Sequence, residues 1–203
     1  MIGIITGDII NSRKLPSAKW IEELKAFLNL LGKTPSDWEI YRGDEFQLEI
    51  ANPEAALLIA VQIKAILKTL RLDVRMSIGI GDKSHKASSI SESNGTAFIR
   101  SGETFETLKK QKVTLVVNSG DADFDSEMNL MIRLALTVMD NWLVQSAQFV
   151  LAAIQNPTLS QEEIGQKLGI NQAAVSRRQK RAQFELIMEL DQFYRKKIKN
   201  NIK

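Results

Sequence analysis

The sequence predicts an α+β protein in which a ferredoxin-like β-α-β-β-α-β domain is followed by an all-α domain. Two observations support this fold class. Over residues 1–117, short segments with the two-residue period of β-strands alternate with longer segments that have the 3.6-residue period of amphipathic helices. After a polar segment at residues 118–126, the apolar patterns have the helical period. We therefore expect one domain at residues 1–120 and a helical domain at residues 126–203.

The first domain is predicted to begin with a strand and to end with one. In chain order the patterns predict a buried strand, a helix, a β-hairpin, a second helix, a strand, a weak helix and a last strand, at residues 2–6, 17–31, 38–50, 53–70, 74–81, 104–110 and 113–117. The β-α-β-β-α-β part of this order is the ferredoxin-like arrangement, an antiparallel sheet with helices on one face. The first strand and the hairpin are neighbours in such a sheet, so Asp8 and Asp44 are expected to lie close together.

The predicted hairpin has two acidic residues, Asp44 and Glu45, at its tip. Gly43 and Asp44 are suited to the positive φ angles of a tight turn. Asp8 stands where the first strand gives way to a loop, and functional groups often lie at the carboxyl ends of strands. Carboxylates in such places can bind Mg²⁺ or Mn²⁺. The alternative is an ordinary solvated turn, because aspartate and glycine are common in turns.

The composition excludes several kinds of site. The 203 residues include no cysteine, which excludes disulfides, thiolate metal ligands and a cysteine nucleophile, and which suits a cytoplasmic location. We expect no signal peptide and no membrane-spanning segment, because no apolar run has the necessary length and flanks. Charge is unevenly placed: 10 basic and 5 acidic residues follow Pro157, against 17 and 19 up to that residue. A basic C-terminal segment favours a polyanionic partner, although a solubilising lysine-rich end has a similar composition.

Residues 160–182 have the pattern of a helix-turn-helix. Ser160 and Glu163 form a capping-box pair, a glycine makes the turn, and Asn171 can cap the second helix. Amide and guanidinium side chains on a second helix can hold phosphates and read base edges in the major groove. The candidate DNA-binding residues are Gln172, Ser176, Arg177, Arg178, Lys180 and Arg181. A helical hairpin that contacts another protein is the alternative interpretation.

Several short segments resemble known families. The segment Arg42-Gly43-Asp44-Glu45-Phe46 resembles the GGDEF signature of diguanylate cyclases and the glycine-aspartate hairpin of class III nucleotidyl cyclases. The segments Gly7-Asp8-Ile9-Ile10 and Arg75-Met76-Ser77-Ile78-Gly79-Ile80 resemble the first strand and the strand bearing a Ser-x-Gly motif in those families. Together with Asn94-Gly95-Thr96-Ala97-Phe98 and the C-terminal helix-turn-helix, these segments make the whole chain resemble the SatD family.

The resemblance implies a cyclase-like palm domain and gives roles to individual residues. It makes Asp8 and Asp44 the metal ligands, assisted by the carbonyl of Ile9. It makes Asp8, Asp44 and Glu45 the catalytic residues, with Glu45 as the glutamate of the signature. Arg42 departs from the signature, because glycine stands there in the cyclases. Phosphate groups can be held by backbone amides beside a helix N-terminus and by cationic side chains. The candidate phosphate ligands are Asn11, Ser12, Arg13 and Arg42.

The sequence is compatible with three functions. The first is a DNA-binding transcriptional regulator, acting as a homodimer, whose palm domain binds a nucleotide or another phosphate ligand with Mg²⁺ or Mn²⁺. The second is an active nucleotidyl cyclase or transferase that uses Asp8 and Asp44 as two-metal ligands. The third is a DNA-binding protein whose palm domain is a catalytically inactive dimerisation scaffold.

Overall fold

The computed structural model describes residues 1–201, which form five β-strands and eight α-helices. The strands are β1 (Ile2–Ile10), β2 (Trp38–Tyr41), β3 (Glu45–Ile50), β4 (Asp73–Gly81) and β5 (Leu115–Asn118). The helices are α1 (Ser17–Leu31), α2 (Ala56–Thr69), α3 (Thr96–Gln111), α4 (Ala122–Met139), α5 (Val144–Gln155), α6 (Gln161–Leu168), α7 (Gln172–Ala182) and α8 (Phe184–Asn201). The chain is an α+β protein, and its elements follow the predicted order. Residues 202 and 203, which the predicted helical domain includes, lie outside the described residues.

The five strands form one mixed sheet in the order β2-β3-β1-β4-β5. Strand β1 pairs antiparallel with both β3 and β4, and β2 pairs antiparallel with β3. Strand β5, which follows the β-α-β-β-α-β part, runs parallel to β4 and makes the sheet mixed. The physical reason is that α3 connects β4 to β5, and a helical crossover allows the parallel direction, whereas a tight turn does not.

Helices cover both faces of the sheet, although the sequence predicted helices on one face. Side chains alternate along β1, so Ile5 and Ile9 join the main core with α1 and α2, while Ile4 packs with Phe98 of α3 on the opposite face. The contact between α3 and the sheet is partly polar. Its Ser101 hydroxyl donates a hydrogen bond to Thr6 Oγ1 at 2.7 Å. A polar contact leaves no strong apolar period, which explains why the sequence indicated only a weak helix here.

A glycine of β4 lets α3 approach the sheet closely. A Cβ atom on Gly79 would lie 2.2 Å from the Ala97 carbonyl oxygen and 2.4 Å from the Ser101 nitrogen, both in α3. Ser77, on the same face of β4, donates from its hydroxyl to the Ser101 carbonyl oxygen at 2.6 Å. The Ser77-Ile78-Gly79 segment therefore positions α3 on the sheet.

The apolar core continues from the sheet into the helices that follow it. The Trp142 indole nitrogen donates to the Ala182 carbonyl oxygen at 3.1 Å, which joins the start of α5 to the end of α7. The fully buried Tyr194 of α8 donates to the Pro53 carbonyl oxygen at 3.0 Å, next to the start of α2. No helix within residues 1–201 combines the length and apolar character that crossing a membrane requires.

The polar linker predicted at residues 118–126 is shorter in the structure, because α4 begins within it. Asp121 caps α4 by accepting a hydrogen bond from the Phe124 amide at 2.9 Å. Asp125 accepts hydrogen bonds from the amide and the hydroxyl of Ser119, each at 2.8 Å. The aspartates of this segment therefore stabilise a helix start. The division into domains at residues 1–120 and 126–203 stays a prediction.

A buried charge network joins α2 to β4 and to the turn after α4. The Lys64 side chain is fully buried, and its ammonium nitrogen lies 2.7 Å from Asp73 Oδ1 and 2.6 Å from Asp140 Oδ1. Lys68, one turn later on α2, lies 2.7 Å from Asp73 Oδ2 and also donates to the Asp140 carbonyl oxygen. Buried charges are tolerated when they are paired in this way.

Candidate functional site

Six of the eight site residues predicted in the first domain line one cleft at the end of β1. The cleft has a volume of about 330 Å³ and is lined by Asp8, Ile9, Ile10, Asn11, Ser12, Arg13, Lys14, Asp44 and Arg75. The hairpin tip reaches this cleft because the Ile9 amide donates a hydrogen bond to the Asp44 carbonyl oxygen at 3.1 Å. Asp8 and Asp44 therefore share a cleft, as expected, while their chemical roles stay predictions.

Asp8 forms a bidentate ion pair with Arg75. The Nε and Nη2 atoms of Arg75 lie 3.0 and 2.9 Å from the two carboxylate oxygens. Asp8 is 6% exposed, so its charge is largely removed from water and is stabilised by this partner. Arg75 was not predicted as a site residue from the sequence. It alternates with the apolar Val74 and Met76, which indicates a strand position, but only the strand register shows that it lies directly opposite Asp8.

The tip of the hairpin differs from the predicted turn. The register of β2 and β3 leaves three residues in the loop. Arg42 (φ 50°) and Gly43 (φ 91°) hold the positive φ angles, whereas Gly43 and Asp44 were expected to do so. Asp44 is the last loop residue, and its Oδ2 atom accepts a hydrogen bond from the Ser12 hydroxyl at 2.7 Å. This contact ties the hairpin tip to the segment after β1.

Arg42 and Glu45 do not line the cleft that contains Asp8. The Arg42 side chain is 80% exposed, and its Nη1 atom lies 3.8 Å from Glu45 Oε2. Arg42 lines a neighbouring cleft of about 470 Å³, which shares Asp44 with the first. Burial, and secondarily the Glu45 carboxylate, raises the pKa of Tyr41, so this phenol stays protonated at neutral pH.

The cleft fits a divalent cation only in part. The carboxylates of Asp8 and Asp44 and the carbonyl of Ile9 are oxygen donors of the kind that Mg²⁺ takes. Both Asp8 oxygens, however, accept hydrogen bonds from Arg75, whose positive charge lies where a cation would bind that carboxylate. Among residues 1–201, no group of three or more His, Asp or Glu side chains is arranged to hold a metal ion. A cation shared by Asp8 and Asp44 would therefore compete with Arg75 for the Asp8 carboxylate.

The segment after β1 supplies donors for an anion. Asn11 is left-handed (φ 64°), and the Lys14 amide donates to the Asn11 carbonyl oxygen at 2.8 Å, which closes a 3-10 turn over residues 12–14. The side chains of Arg13 and Lys14 are exposed at the rim of the cleft. Backbone turns of this kind, followed by cationic side chains, are suited to phosphate groups. Lys14 is a further residue that sequence reasoning missed.

The helices α6 and α7 form a compact pair joined by the three residues 169–171. The capping box of Ser160 and Glu163 is present at the start of α6, and its hydrogen bonds lower the pKa of Glu163. The Asn171 side chain caps α7 by accepting from the Ala174 amide at 2.9 Å. The turn packs closely on α6, because a Cβ atom on Gly165 would lie 2.6 Å from the Ile170 carbonyl oxygen. The helix cap and this close contact together determine the orientation of α7 relative to α6.

The exposed side of α7 is basic. Val175 is fully buried and anchors the helix. Among the six predicted DNA-binding residues, the exposed ones are Gln172, Arg177, Lys180 and Arg181, and the partly buried ones are Ser176 and Arg178. Arg178 turns towards α5, where its Nη1 atom lies 3.4 Å from Gln148 Oε1.

A sequence model of the SatD family matches residues 1–197. The chain belongs to the SatD family. Comparisons of this SatD-family protein with curated proteins and with solved structures give no match. The family match gives no activity or partner for this SatD-family protein.

Proposed function

We propose that this protein binds DNA through α6 and α7, acting as a helix-turn-helix regulator with a ferredoxin-like, cyclase-like palm domain. The observation that carries the proposal is the exposed basic side of α7. Arg177, Lys180 and Arg181 form no ion pair with a carboxylate of the described chain, so their charges are available to an external anion. The backbone of a DNA duplex carries regularly spaced phosphate groups, and their negative charge is complementary to these basic side chains.

The local geometry of the pair supports this proposal. A capped first helix, a three-residue turn and a second helix anchored by Val175 present the start of α7 to solvent, with Gln172 exposed there. The recognition helix of a helix-turn-helix lies in the major groove, and the residues near its N-terminal end contact the base edges. The homodimer that half-site recognition implies would present two copies of α7 to one duplex. For the palm domain, support comes from the strand order β2-β3-β1-β4 with β1 in the centre.

The double variant Arg177→Ala/Arg181→Ala is expected to bind duplex DNA about tenfold more weakly than wild type near 0.1 M salt. The plot of log affinity against log salt should lose about two units of slope, because two phosphate contacts disappear. Fluorescence anisotropy with a labelled duplex of mixed sequence, titrated at several salt concentrations, measures both quantities. The proposal fails if wild type shows no salt-dependent binding, or if the double variant binds as wild type does.

A second candidate activity is favoured by the cleft at the end of β1. We propose that it binds a phosphate-bearing ligand, such as a nucleotide, through the amides of residues 11–13 and the side chains of Arg13, Lys14 and Arg75. Mg²⁺ or Mn²⁺ would join Asp8 and Asp44 in this complex, with the cation replacing the charge of Arg75 at Asp8. The support is the convergence of these groups on one cleft of about 330 Å³.

The variant Arg13→Ala/Lys14→Ala is expected to lose the thermal stabilisation that nucleoside triphosphates, nucleoside diphosphates or pyrophosphate confer on wild type. A ligand at 100 times its dissociation constant stabilises the native state by about 2.7 kcal/mol, which a thermal-shift assay detects readily. Asp44→Asn is expected to abolish only the part of the shift that depends on Mg²⁺. The absence of a shift with every ligand, with and without Mg²⁺, would refute this second proposal.

The two double variants are matched controls for each other, because each removes two exposed basic side chains. Arg177→Ala/Arg181→Ala should keep the ligand response, and Arg13→Ala/Lys14→Ala should keep DNA binding. Turnover of nucleoside triphosphates with Mg²⁺ or Mn²⁺ that disappears in Asp44→Asn would favour the cyclase or transferase alternative. DNA binding without any response to phosphate ligands would favour the scaffold alternative.

A further inference from the structure

A largely apolar pocket lies beneath α6 and α7, away from the cleft at the end of β1. Its volume is about 520 Å³, and it is lined by residues of α2, α5, α6, α7 and α8 and of the connection before α6. Apolar side chains form most of the wall, among them Phe149, Ile154, Leu159, Phe184 and Met188. Pockets of about 300–1,000 Å³ that combine apolar walls with a few polar groups are typical small-molecule sites.

Asp191 of α8 is the single charged residue among those that line this pocket. It is 5% exposed, and its Oδ2 atom accepts a hydrogen bond from Arg195 Nε at 2.5 Å. Its Oδ1 atom is buried and accepts no well-formed hydrogen bond within the described part of the chain, although the Leu58 amide acts on the carboxylate. A buried carboxylate oxygen without a well-formed hydrogen bond costs folding free energy. A ligand group that donates a hydrogen bond to it would therefore stabilise the complex more than the same hydrogen bond at the surface.

The charge balance around Asp191 indicates which donors fit. Burial raises the pKa of Asp191, although the guanidinium of Arg195 and the backbone amide of Leu58 oppose this effect. The carboxyl group is therefore incompletely compensated by its own protein. No lysine or arginine is among the described residues that line the pocket, so an anionic ligand would find no cationic partner there. Both facts favour a cation or an N–H donor on an apolar body.

We propose that this pocket binds a small molecule made of an aromatic or branched aliphatic body and one amine or amidine group, with the nitrogen donating to Asp191 Oδ1. The site also contacts the helices that carry the basic surface. The side-chain nitrogen of Gln161 on α6 donates to Gln179 Oε1 on α7 at 2.8 Å, and both residues line the pocket. A bound ligand would thus contact the residues that join α6 to α7. The pocket shares no lining residue with the phosphate-binding cleft, and the test below does not depend on DNA binding.

The experiment compares three probes that share one apolar body: 2-phenylethylamine, 2-phenylethanol and phenylacetate. Isothermal titration calorimetry and saturation-transfer NMR are run on the full chain for wild type, Asp191→Asn and Ala153→Phe. Ala153 of α5 lines the pocket, so a phenylalanine there would occupy part of its volume while leaving the Asp191 side chain unchanged. We expect the amine to bind wild type at least about tenfold more tightly than the alcohol or the acid, because a hydrogen bond between a charged donor and a carboxylate is stronger than one between neutral groups.

Asp191→Asn should lose this preference for the amine, and Ala153→Phe should lose binding of the amine and the alcohol together. The proposal is overturned if the amine does not bind wild type, if phenylacetate binds as tightly as the amine, or if both variants bind as wild type does. If Asp191→Asn fails to fold, the comparison of the three probes on wild type and on Ala153→Phe decides the question. Circular dichroism of each variant establishes that it is folded before titration.

Discussion

Lys64→Ala is expected to lower the free energy of unfolding by about 3–5 kcal/mol, the largest single effect that the structure predicts. The substitution removes the fully buried cation that lies 2.7 Å from Asp73 and 2.6 Å from Asp140. Asp73 then keeps Lys68 as its cationic partner, whereas the Asp140 carboxylate loses the cation beside it, and the lost side chain also leaves a cavity. Urea denaturation followed by tryptophan fluorescence measures the change, and an unchanged m-value would show that both proteins unfold over the same surface.

Two further variants separate the charge effect from the packing effect. Lys25→Ala removes an exposed lysine from α1 and should change stability by less than about 0.5 kcal/mol. Lys64→Met/Asp140→Asn keeps the side-chain volume and removes one charge of each sign, so it should recover much of the lost stability. A loss below about 1 kcal/mol in Lys64→Ala would show that the network contributes little.

Gly79→Ala is expected to lower the free energy of unfolding by about 1–3 kcal/mol or more, because the added methyl group meets backbone atoms that cannot turn away. The new Cβ atom would lie 2.2 Å from the Ala97 carbonyl oxygen, so α3 must move off β4. The hydrogen bond from Ser77 to Ser101 would lengthen with that movement. Thermal and urea unfolding, together with hydrogen exchange of the α3 amides, measure the loss.

Gly102→Ala is the matched control, since it makes the same substitution within α3. No atom lies within 4 Å of the Cβ position at Gly102, and alanine favours helix over glycine by about 1 kcal/mol. This variant should therefore be slightly more stable than wild type. Equal stability of Gly79→Ala and wild type would mean that α3 does not depend on close contact with β4.

The elements with a clear period were predictable from the sequence, and those without one were not. α1 and α2 have continuous apolar faces, and their predicted ranges agree closely with the structure. α3 faces the sheet partly with Ser101, whose partners are polar, so the pattern indicated only residues 104–110 of a helix that spans Thr96–Gln111. The direction of β5 could not be inferred either, because a period of two gives no information about the neighbouring strand.

The candidate site was predictable where its residues follow one another along the chain. Asp8, Ser12 and Arg13 belong to one short segment, and the turn-forming residues identified the hairpin that carries Asp44. Arg75 was missed, although it determines what Asp8 can bind. The positive φ angles were assigned one residue too late, because the loop length depends on the strand register and not on the turn residues alone.

The sequence by itself determined the α+β class, the order of the strands and helices along the chain, and the capped, basic helix pair at its C-terminal end. Periodicity, caps and charge are properties of neighbouring residues, so they can be recognised without a structure. Tertiary structure alone decided that Asp8 faces Arg75, 67 positions away, and that Asp191 is buried in the wall of an apolar pocket. Strand register and helix packing bring these residues together, and both arise from contacts between segments that are distant in the chain.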